Sequence, residues 1–266
     1  KQLSITEEMA AEFEEAHNCI VEFRIGPDSA TERLGEYQKF LAARSSEIDV
    51  YQIDVIWPGI LANHLVDLTD VIDPQEFFPA MIENNTVEGR IVGVPFYGDA
   101  GLLYYRTDLL EKYGYDRPPT NLDELEEMAR TIMEGERSEG NSSFWGMTFQ
   151  GAAYEGLTCN ALEWQYGAEG GTILNDEGQL ELNNAATRTV FAKVSTWVGD
   201  IAPPGILTYK EEEARTIFQA GNAAFMRNWP YAYKLGQEEG SAVAGLIGVT
   251  ALPAADIEGA SPAATL

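Results

Sequence analysis

The sequence predicts an α/β fold, because strand patterns alternate along it with segments whose apolar residues recur at helical spacing. The clearest strand prediction is 50–57, a nearly continuous apolar run of the kind found in central parallel strands. An earlier strand is predicted at 19–25, where every second residue is apolar. Gly26-Pro27 and Pro58-Gly59 follow these two segments, as expected at the ends of regular elements.

The other elements are predicted in order from their spacing and their boundary residues. A capping box at 4–7 starts the first helix, and Ser29 starts the second. Further strands are predicted at 90–97, 102–106, 144–149, 223–228 and 244–252. Further helices are predicted at 108–113, 122–133, 155–166, 185–198 and 211–219. A turn between short strands is predicted at 175–178.

The charge of the chain excludes several classes of function. Its 266 residues include 43 acidic and 17 basic side chains, which gives a formal net charge of −26 with histidine neutral. Such a surface repels phosphate, which argues against non-specific binding of nucleic acid or of anionic membranes. A hydrophobic content of 45% is too high for a disordered acidic tail. The sequence has no run of about 18 apolar residues, so it predicts no helix that spans a bilayer.

The basic residues are mostly arginine, with only 6 lysines among the 17. Many carboxylates and few lysines suit a protein in concentrated salt, where carboxylates stay hydrated and their repulsion is screened. Adaptation to salt is therefore one hypothesis, and an ordinary acidic protein is the other. A melting temperature that rises between low and molar salt would favour the first.

Cysteine, histidine and glycine offer no familiar catalytic pattern. Cys19 and Cys159 are far apart and are predicted to be buried free thiols. His17 and His64 have no partner at metal-ligand spacing, so no metal site is predicted. The sequence lacks a glycine-rich phosphate loop after a strand and a Gly-x-Ser-x-Gly motif. The sequence does not decide whether two carboxylates lie at the separation of a glycosidase's catalytic pair.

Aromatic and charged side chains occur together near the predicted strand ends. The aromatic residues are Trp57, Phe96, Tyr97, Tyr104, Tyr105, Trp229, Tyr231 and Tyr233, and the charged ones are Arg33, Asp54, Asp99 and Arg227. Carboxylates and arginines bind hydroxyls strongly, and flat rings cover the C–H face of a pyranose, so the mixture suits a neutral sugar. The alternative is core packing, which we favour for Tyr104 and Tyr105. For Asp54 the alternative is a cap on the following turn.

Five segments resemble the substrate-binding proteins of sugar-importing ABC transporters, in particular their trehalose/maltose-binding branch. They are 49–57, 99–110, 144–146, 154–159 and 221–232, in the order of the family. The resemblance implies a two-lobed α/β fold of the periplasmic-binding-protein type (type II). It implies an N-terminal lobe of 1–101 plus 247–266 and a C-terminal lobe of 102–246. The implied function is capture of an α-glucoside disaccharide (trehalose, maltose or sucrose) by hinge closure, with no bond made or broken.

The resemblance also assigns residues and partners. Six residues are implied to contact sugar, namely Asp54, Tyr97, Asp99, Trp229, Tyr231 and Arg33. Trp229 and Tyr231 are expected to form a stacking platform and Arg33 a wall of the first lobe. The rim of the cleft is assigned to Gln150, Tyr154 and Glu155. The implied partners are a disaccharide and the permease subunits, with no cofactor, no metal and no nucleic acid. We expect a periplasmic or extracellular monomer, with a lipoprotein anchor as an option.

Relative to the family, we expect the chain to be trimmed at both ends. It opens on a helix and stops at 262–266 without a closing element. The family's first strand and its helical C-terminal part have no counterpart here. Two other functions stay open from sequence: an enzyme that acts on α-glucosides, and a binding protein for another sugar or a compatible solute.

Overall fold

The computed structural model describes residues 2–27, 29–175, 177–257 and 260–262. It confirms the mixed α/β class. The chain divides into two compact units, Lys1–Val94 and Pro95–Leu266. The lobes predicted from sequence, 1–101 plus 247–266 and 102–246, have other boundaries, and that assignment stays a prediction. Predicted features at 263–266, and at Asp176 in the 175–178 turn, lie outside the described residues.

The first unit consists mainly of helices. They are α1 (Gln2–His17), α2 (Ala30–Ala42), α3 (Pro58–Leu61) and α4 (Pro79–Asn84), with a short 3₁₀ segment at Pro74–Glu76. Helix α1 begins at Gln2, ahead of the capping box predicted at 4–7. A small antiparallel hairpin follows, β1 (Thr86–Val87) and β2 (Arg90–Ile91). Its turn holds Glu88 at φ 51° and Gly89 at φ 77°, a left-handed conformation that favours glycine.

Two strand predictions in the first unit are wrong, and a third is confirmed only in part. Residues 19–25 and 50–57 form no ladder among the described residues, and only Arg90–Ile91 of the predicted 90–97 is a strand. Apolar alternation prepares two faces, but the ladder hydrogen bonds must come from a neighbouring strand. Without one, Ile20 is 84% and Val50 86% exposed. Cys19, predicted to be buried, is exposed as well, while Cys159 is half-buried.

The second unit contains a four-stranded sheet flanked by helices. Its strands are β3 (Leu102–Arg106), β4 (Trp145–Thr148), β5 (Ala223–Asn228) and β6 (Ile247–Thr250), in the spatial order β4-β5-β3-β6. β4 runs parallel to β5, whereas β3 is antiparallel to both β5 and β6. The helices are α5 (Thr107–Lys112), α6 (Leu122–Ser138), α7 (Glu155–Tyr166), α8 (Ala185–Thr196), α9 (Glu211–Gln219) and α10 (Tyr231–Gly236), with a 3₁₀ segment at Pro204–Thr208. The predicted strands at 102–106, 144–149 and 223–228, and the predicted helices of this unit, are confirmed within a few residues.

Helix α6 shows how the sequence builds this unit. Asn121 caps it, since its side-chain oxygen accepts the backbone N–H of Glu124 at 2.8 Å. Its buried side chains recur at helical spacing and pack into the core beside the sheet: Leu122, Leu125, Met128, Ala129, Ile132 and Met133. Every residue of β5 is buried, as expected of a strand with neighbours on both sides.

Of the helices described, none is long and apolar enough to cross a bilayer.

The start of α6 also carries a pH-dependent interaction. Arg117 forks onto Glu124 with two 2.7 Å hydrogen bonds, and with the Thr120 N–H it lowers the pKa of Glu124 to about 2. In the unfolded chain a glutamate titrates near pH 4.3. The contact therefore stabilises the fold above about pH 4.3 and loses that effect as the pH falls toward about 2. Because the Glu124 side chain is 29% exposed, the effect is small.

Thermal unfolding of Glu124→Gln between pH 7 and pH 2.5 should therefore show a shallower fall in melting temperature than the unaltered chain. Glu127→Gln is the matched control, because Glu127 is an exposed carboxylate on the same helix. Parallel curves for the unaltered chain and Glu124→Gln would contradict the prediction.

Candidate functional site

The sheet of the second unit brings three loop segments to one edge. Leu102 at the start of β3 pairs with Asn228 at the end of β5, so the residues before β3 lie beside those after β5. β4 runs parallel to β5, so the residues after β4 reach the same edge. We call this place the sheet-edge site and define it by five residues, Asp99, Gly101, Gln150, Arg227 and Trp229. The carboxyl ends of strands are where open α/β sheets bind ligands.

A buried ion pair lies at the sheet-edge site. Arg227 of β5 is 3% exposed and Glu163 of α7 is 5% exposed. The Arg227 Nε donates to Glu163 Oε2 at 2.9 Å, and a second contact joins Nη2 to Oε1. Gln150 also binds Arg227. Its side-chain Oε1 accepts from Arg227 Nη1 at 3.3 Å, and its Nε2 donates to the Arg227 backbone carbonyl at 3.2 Å. Buried charges persist only with partners of this kind.

Trp229 follows directly and is half-buried. Its backbone N–H donates to Asn228 Oδ1 at 2.8 Å, and its carbonyl accepts the Tyr104 hydroxyl at 2.7 Å. The Arg227 Cζ lies 3.8 Å from the centroid of the Trp229 ring, well within cation–π range. Tyr104 itself is fully buried, which confirms the prediction of a core role.

Asp99 supplies a carboxylate at this edge. It is half-buried, and its Oδ1 accepts the Ala100 N–H at 3.1 Å. Burial raises the pKa of Asp99, although the Ala100 N–H and the positive charge of Arg227 act in the opposite direction. The carboxylate has acceptor capacity beyond that one bond, which a ligand hydroxyl can use. Tyr97, two residues earlier, is exposed. Its ring packs edge-on against that of Phe96, with 5.7 Å between the ring centroids.

Two tyrosines near this edge are anchored on α9. The Tyr231 hydroxyl donates to Glu212 Oε1 at 2.7 Å, and the Tyr154 hydroxyl donates to Glu211 Oε1 at 2.6 Å. Burial and the bond to Glu212 raise the pKa of Tyr231. Burial opposes ionisation of Glu212, but the bonds from Arg215 and Tyr231 outweigh it and keep the pKa of Glu212 low.

Two of the predicted sugar contacts, Arg33 and Asp54, belong to the first unit. The Arg33 Cζ lies 5.5 Å from the centroid of the Trp57 ring, and its Nη1 donates to the Pro27 carbonyl at 3.2 Å. Trp57 is 1% exposed, so it is a core residue rather than a free aromatic face. Asp54 accepts the Ile56 N–H at 3.4 Å, which is the turn cap given as the alternative for this residue.

The structure therefore assigns Tyr97, Asp99, Trp229 and Tyr231 to the second unit and Arg33 and Asp54 to the first. Contact of any of the six with sugar stays a prediction. The prediction that Gln150 lies on a rim is wrong, because Gln150 is fully buried between Arg227 and Asn160. Among the described residues, no group of histidine, cysteine or acidic side chains has the arrangement of a metal site.

Sequence reasoning missed Glu163, and it missed Glu211 and Glu212 of α9. Glu163 is one of several carboxylates in an acidic chain, and only packing shows which of them is buried. A weak signal was present, since Gly156, Asn160 and Glu163 recur at helical spacing on the buried face of α7.

A mixed α/β chain with aromatic, carboxylate and arginine groups at one sheet edge has the features of a solute-binding protein. The model of the family described as bacterial extracellular solute-binding protein matches residues 1–265, and the chain belongs to that family. Its structural neighbours are MalE-like periplasmic binding proteins, which confirms the fold that the resemblance implied.

Three relatives illustrate the match. A probable ABC transporter-binding protein of Deinococcus radiodurans is 51% identical over 243 residues, which are 90% of this chain and 57% of that protein. The maltose-bound MalE3 of T. maritima superposes with a TM-score of 0.89 at 41% identity, over 99% of this chain and 66% of that one. A ribitol-bound solute-binding protein of Agrobacterium radiobacter has a TM-score of 0.81 at 22% identity over 98% of this chain and 65% of that one, a likeness of fold alone. The chain thus spans about three fifths of the Deinococcus protein's length.

Proposed function

We propose that this chain is the substrate-binding part of an ABC importer and captures an α-glucoside disaccharide of the trehalose, maltose or sucrose type. The sugar is held by closure of the two lobes that the resemblance implies, because a ligand that binds the closed form better shifts the population toward it. No covalent chemistry takes place. The closed form then delivers the sugar to the transmembrane permease subunits.

The observation that carries this proposal is the arrangement of the sheet-edge site. Asp99 offers a half-buried carboxylate to a hydroxyl, and Trp229 offers an indole face of fixed orientation. A pyranose needs both, because hydroxyls surround its ring and apolar C–H groups cover its faces. The formal charge of −26 agrees with a neutral ligand rather than a phosphorylated one.

The relatives support the class of ligand and leave its identity open. The T. maritima structure, at 41% identity, contains maltose. We propose maltose or a related α-glucoside for this chain on that basis, together with Tyr97, Asp99, Trp229 and Tyr231 as contacts from the second unit. Asp54 and Arg33 are the proposed contacts from the first unit. A periplasmic or extracellular monomer, with a lipid anchor as an option, completes the proposal.

Isothermal titration calorimetry with trehalose, maltose and sucrose tests the proposal. We expect micromolar or tighter binding of at least one of them. Binding of none would refute the proposed ligand class and favour another sugar or a compatible solute. Prolonged incubation with each disaccharide, followed by an assay for free glucose, should detect no release; steady release would show an enzyme instead.

Tyr231→Phe separates the ring of Tyr231 from its hydroxyl. The ring stays in place, so maltose affinity should fall by less than about threefold, while loss of the partly exposed bond to Glu212 lowers the free energy of unfolding by at most about 1 kcal/mol. Calorimetry and urea unfolding measure the two effects. A folded variant that no longer binds maltose would show instead that the hydroxyl contacts the sugar.

A further inference from the structure

We propose that the buried Glu163–Arg227 pair positions the Trp229 ring for sugar, so that Arg227 and Glu163 are positioning residues rather than sugar ligands. The inference rests on the proposed function, which it deepens by naming what holds the stacking platform. It follows from the contacts of three side chains that meet at the sheet-edge site.

Arg227 is held from two sides. Glu163 binds its Nε and Nη2, and Gln150 binds its Nη1, so every nitrogen of the guanidinium has a protein partner. The backbone of Gln150 is itself held, because the Asn160 Nδ2 donates to its backbone carbonyl at 2.8 Å. A guanidinium fixed in this way has its plane set by α7 and by the segment after β4. Arg227 is thus a support rather than a free donor to hydroxyls.

The plane of the Arg227 guanidinium lies against the Trp229 indole. With the Arg227 Cζ 3.8 Å from the ring centroid, the guanidinium covers one face of Trp229. An indole has two faces, so sugar can stack only on the other. The backbone on either side of the ring is fixed by Asn228 and Tyr104. A ring held before the ligand arrives loses less rotamer entropy on binding, and that favours affinity.

Gly101 leaves the space that the Glu163–Arg227 pair occupies. A Cβ at this position would lie 2.1 Å from Glu163 Oε1 and 2.6 Å from Arg227 Nη2. The chain entering β3 therefore passes directly over the pair, and a side chain at this position would displace the ends of both partners. A buried ion pair adds little net stability compared with an apolar pair of equal volume. Its arrangement beneath an aromatic residue of the proposed site gives it a positioning role.

Fluorine NMR of the chain labelled with 5-fluorotryptophan tests the inference without sugar. Trp229→Phe identifies the Trp229 resonance among those of the five tryptophans. Glu163→Gln removes the negative charge of the carboxylate that binds Arg227. Arg227→Lys replaces the planar guanidinium by a compact ammonium group. We expect both variants to shift and broaden the Trp229 resonance and to leave the others in place.

A matched control exists in the same sheet, at the opposite ends of the strands. The Arg137 Cζ lies 4.3 Å from the centroid of the Trp145 ring, at the start of β4. Arg137→Lys should move the Trp145 resonance and leave that of Trp229 unchanged. A Trp229 resonance that stays in place in folded Glu163→Gln or Arg227→Lys overturns the inference. A shift of all tryptophan resonances together also overturns it, because that shows a general structural role.

A second measurement keeps the pair intact. In the unaltered chain, the Arg227 Nε–H resonance should be shifted upfield by the Trp229 ring and should return toward the ordinary position in Trp229→Leu. Equal positions in both proteins would overturn the inference, even if neither pair variant folds.

Calorimetry with maltose tests whether the pair affects sugar binding. We expect Glu163→Gln and Arg227→Lys to weaken binding about tenfold, the order of a desolvated cation–π contact. Unchanged maltose affinity in variants with a displaced ring would overturn the inference. If the unaltered chain binds no maltose, the proposed function fails, whereas the sugar-free spectra still decide whether the pair holds the ring.

Discussion

Replacing Trp229 with Ala is expected to weaken maltose binding by about 1–3 kcal/mol, the range for burying one aromatic face against an apolar surface. This corresponds to a loss of roughly 5- to 150-fold in affinity. The physical reason is that Trp229 is half-buried and Arg227 covers one face of its ring, which leaves the other face for sugar and fixes the ring before ligand binds. Calorimetry with maltose measures the effect.

Trp145→Ala is the matched control for this prediction. Trp145 is also a half-buried tryptophan covered by an arginine, but it lies at the other end of the sheet. Its removal should alter the stability of the fold and leave maltose affinity unchanged in the folded protein. Unchanged affinity in Trp229→Ala would refute the role of this ring in binding sugar.

Removing Glu163 is expected to have the largest effect on stability. Glu163→Ala leaves the Arg227 charge buried without its carboxylate partner, and breaking such a pair lowers the free energy of unfolding by about 3–5 kcal/mol. The double variant Glu163→Leu with Arg227→Met removes both charges and keeps the volume. It should recover most of that loss. Urea unfolding followed by near-ultraviolet circular dichroism measures both variants.

The Arg130–Asp200 pair provides the comparison. It is also bidentate, with two 2.6 Å hydrogen bonds from Nη1 and Nη2, but both side chains are more than a third exposed. Asp200→Ala should therefore cost less than about 1 kcal/mol. If Glu163→Ala and Asp200→Ala were equally destabilising, burial would not be what makes the Glu163–Arg227 contact important.

The second unit was predicted well from sequence, for a local reason. Helix α6 carries its own cap at Asn121 and its own apolar face, so its position along the chain follows from its residues alone. Strand β5 lies between turn signals at Gly221 and Pro230, and its bounds were predicted as the structure has them. Local chemistry determines such elements before any partner is present.

The first unit shows where local patterns fail. Residues 19–25 and 50–57 have strand patterns, yet no described strand pairs with them, so the prediction of a central parallel strand is wrong. Helices complete their hydrogen bonds within one segment, whereas a strand requires a neighbour. An apolar run cannot specify whether that neighbour exists.

The candidate site divides along the same line. The proline after Trp229 and the glycines beside Asp99 are visible in the sequence, because proline and glycine are local features. Glu163 was not visible, because it lies 64 residues from Arg227 along the chain and only the packing of α7 brings the two together.

The sequence by itself determined the α/β class, most elements of the second unit though not α10, the likeness to solute-binding proteins and the acidic charge that disfavours phosphorylated partners. Only the tertiary structure decided which of the 43 acidic side chains is buried against Arg227, and that this arginine supports Trp229 instead of facing solvent. The physical reason is that propensity and capping act over a few residues. Burial and ion pairing depend on which surfaces meet, and those surfaces come from distant parts of the chain.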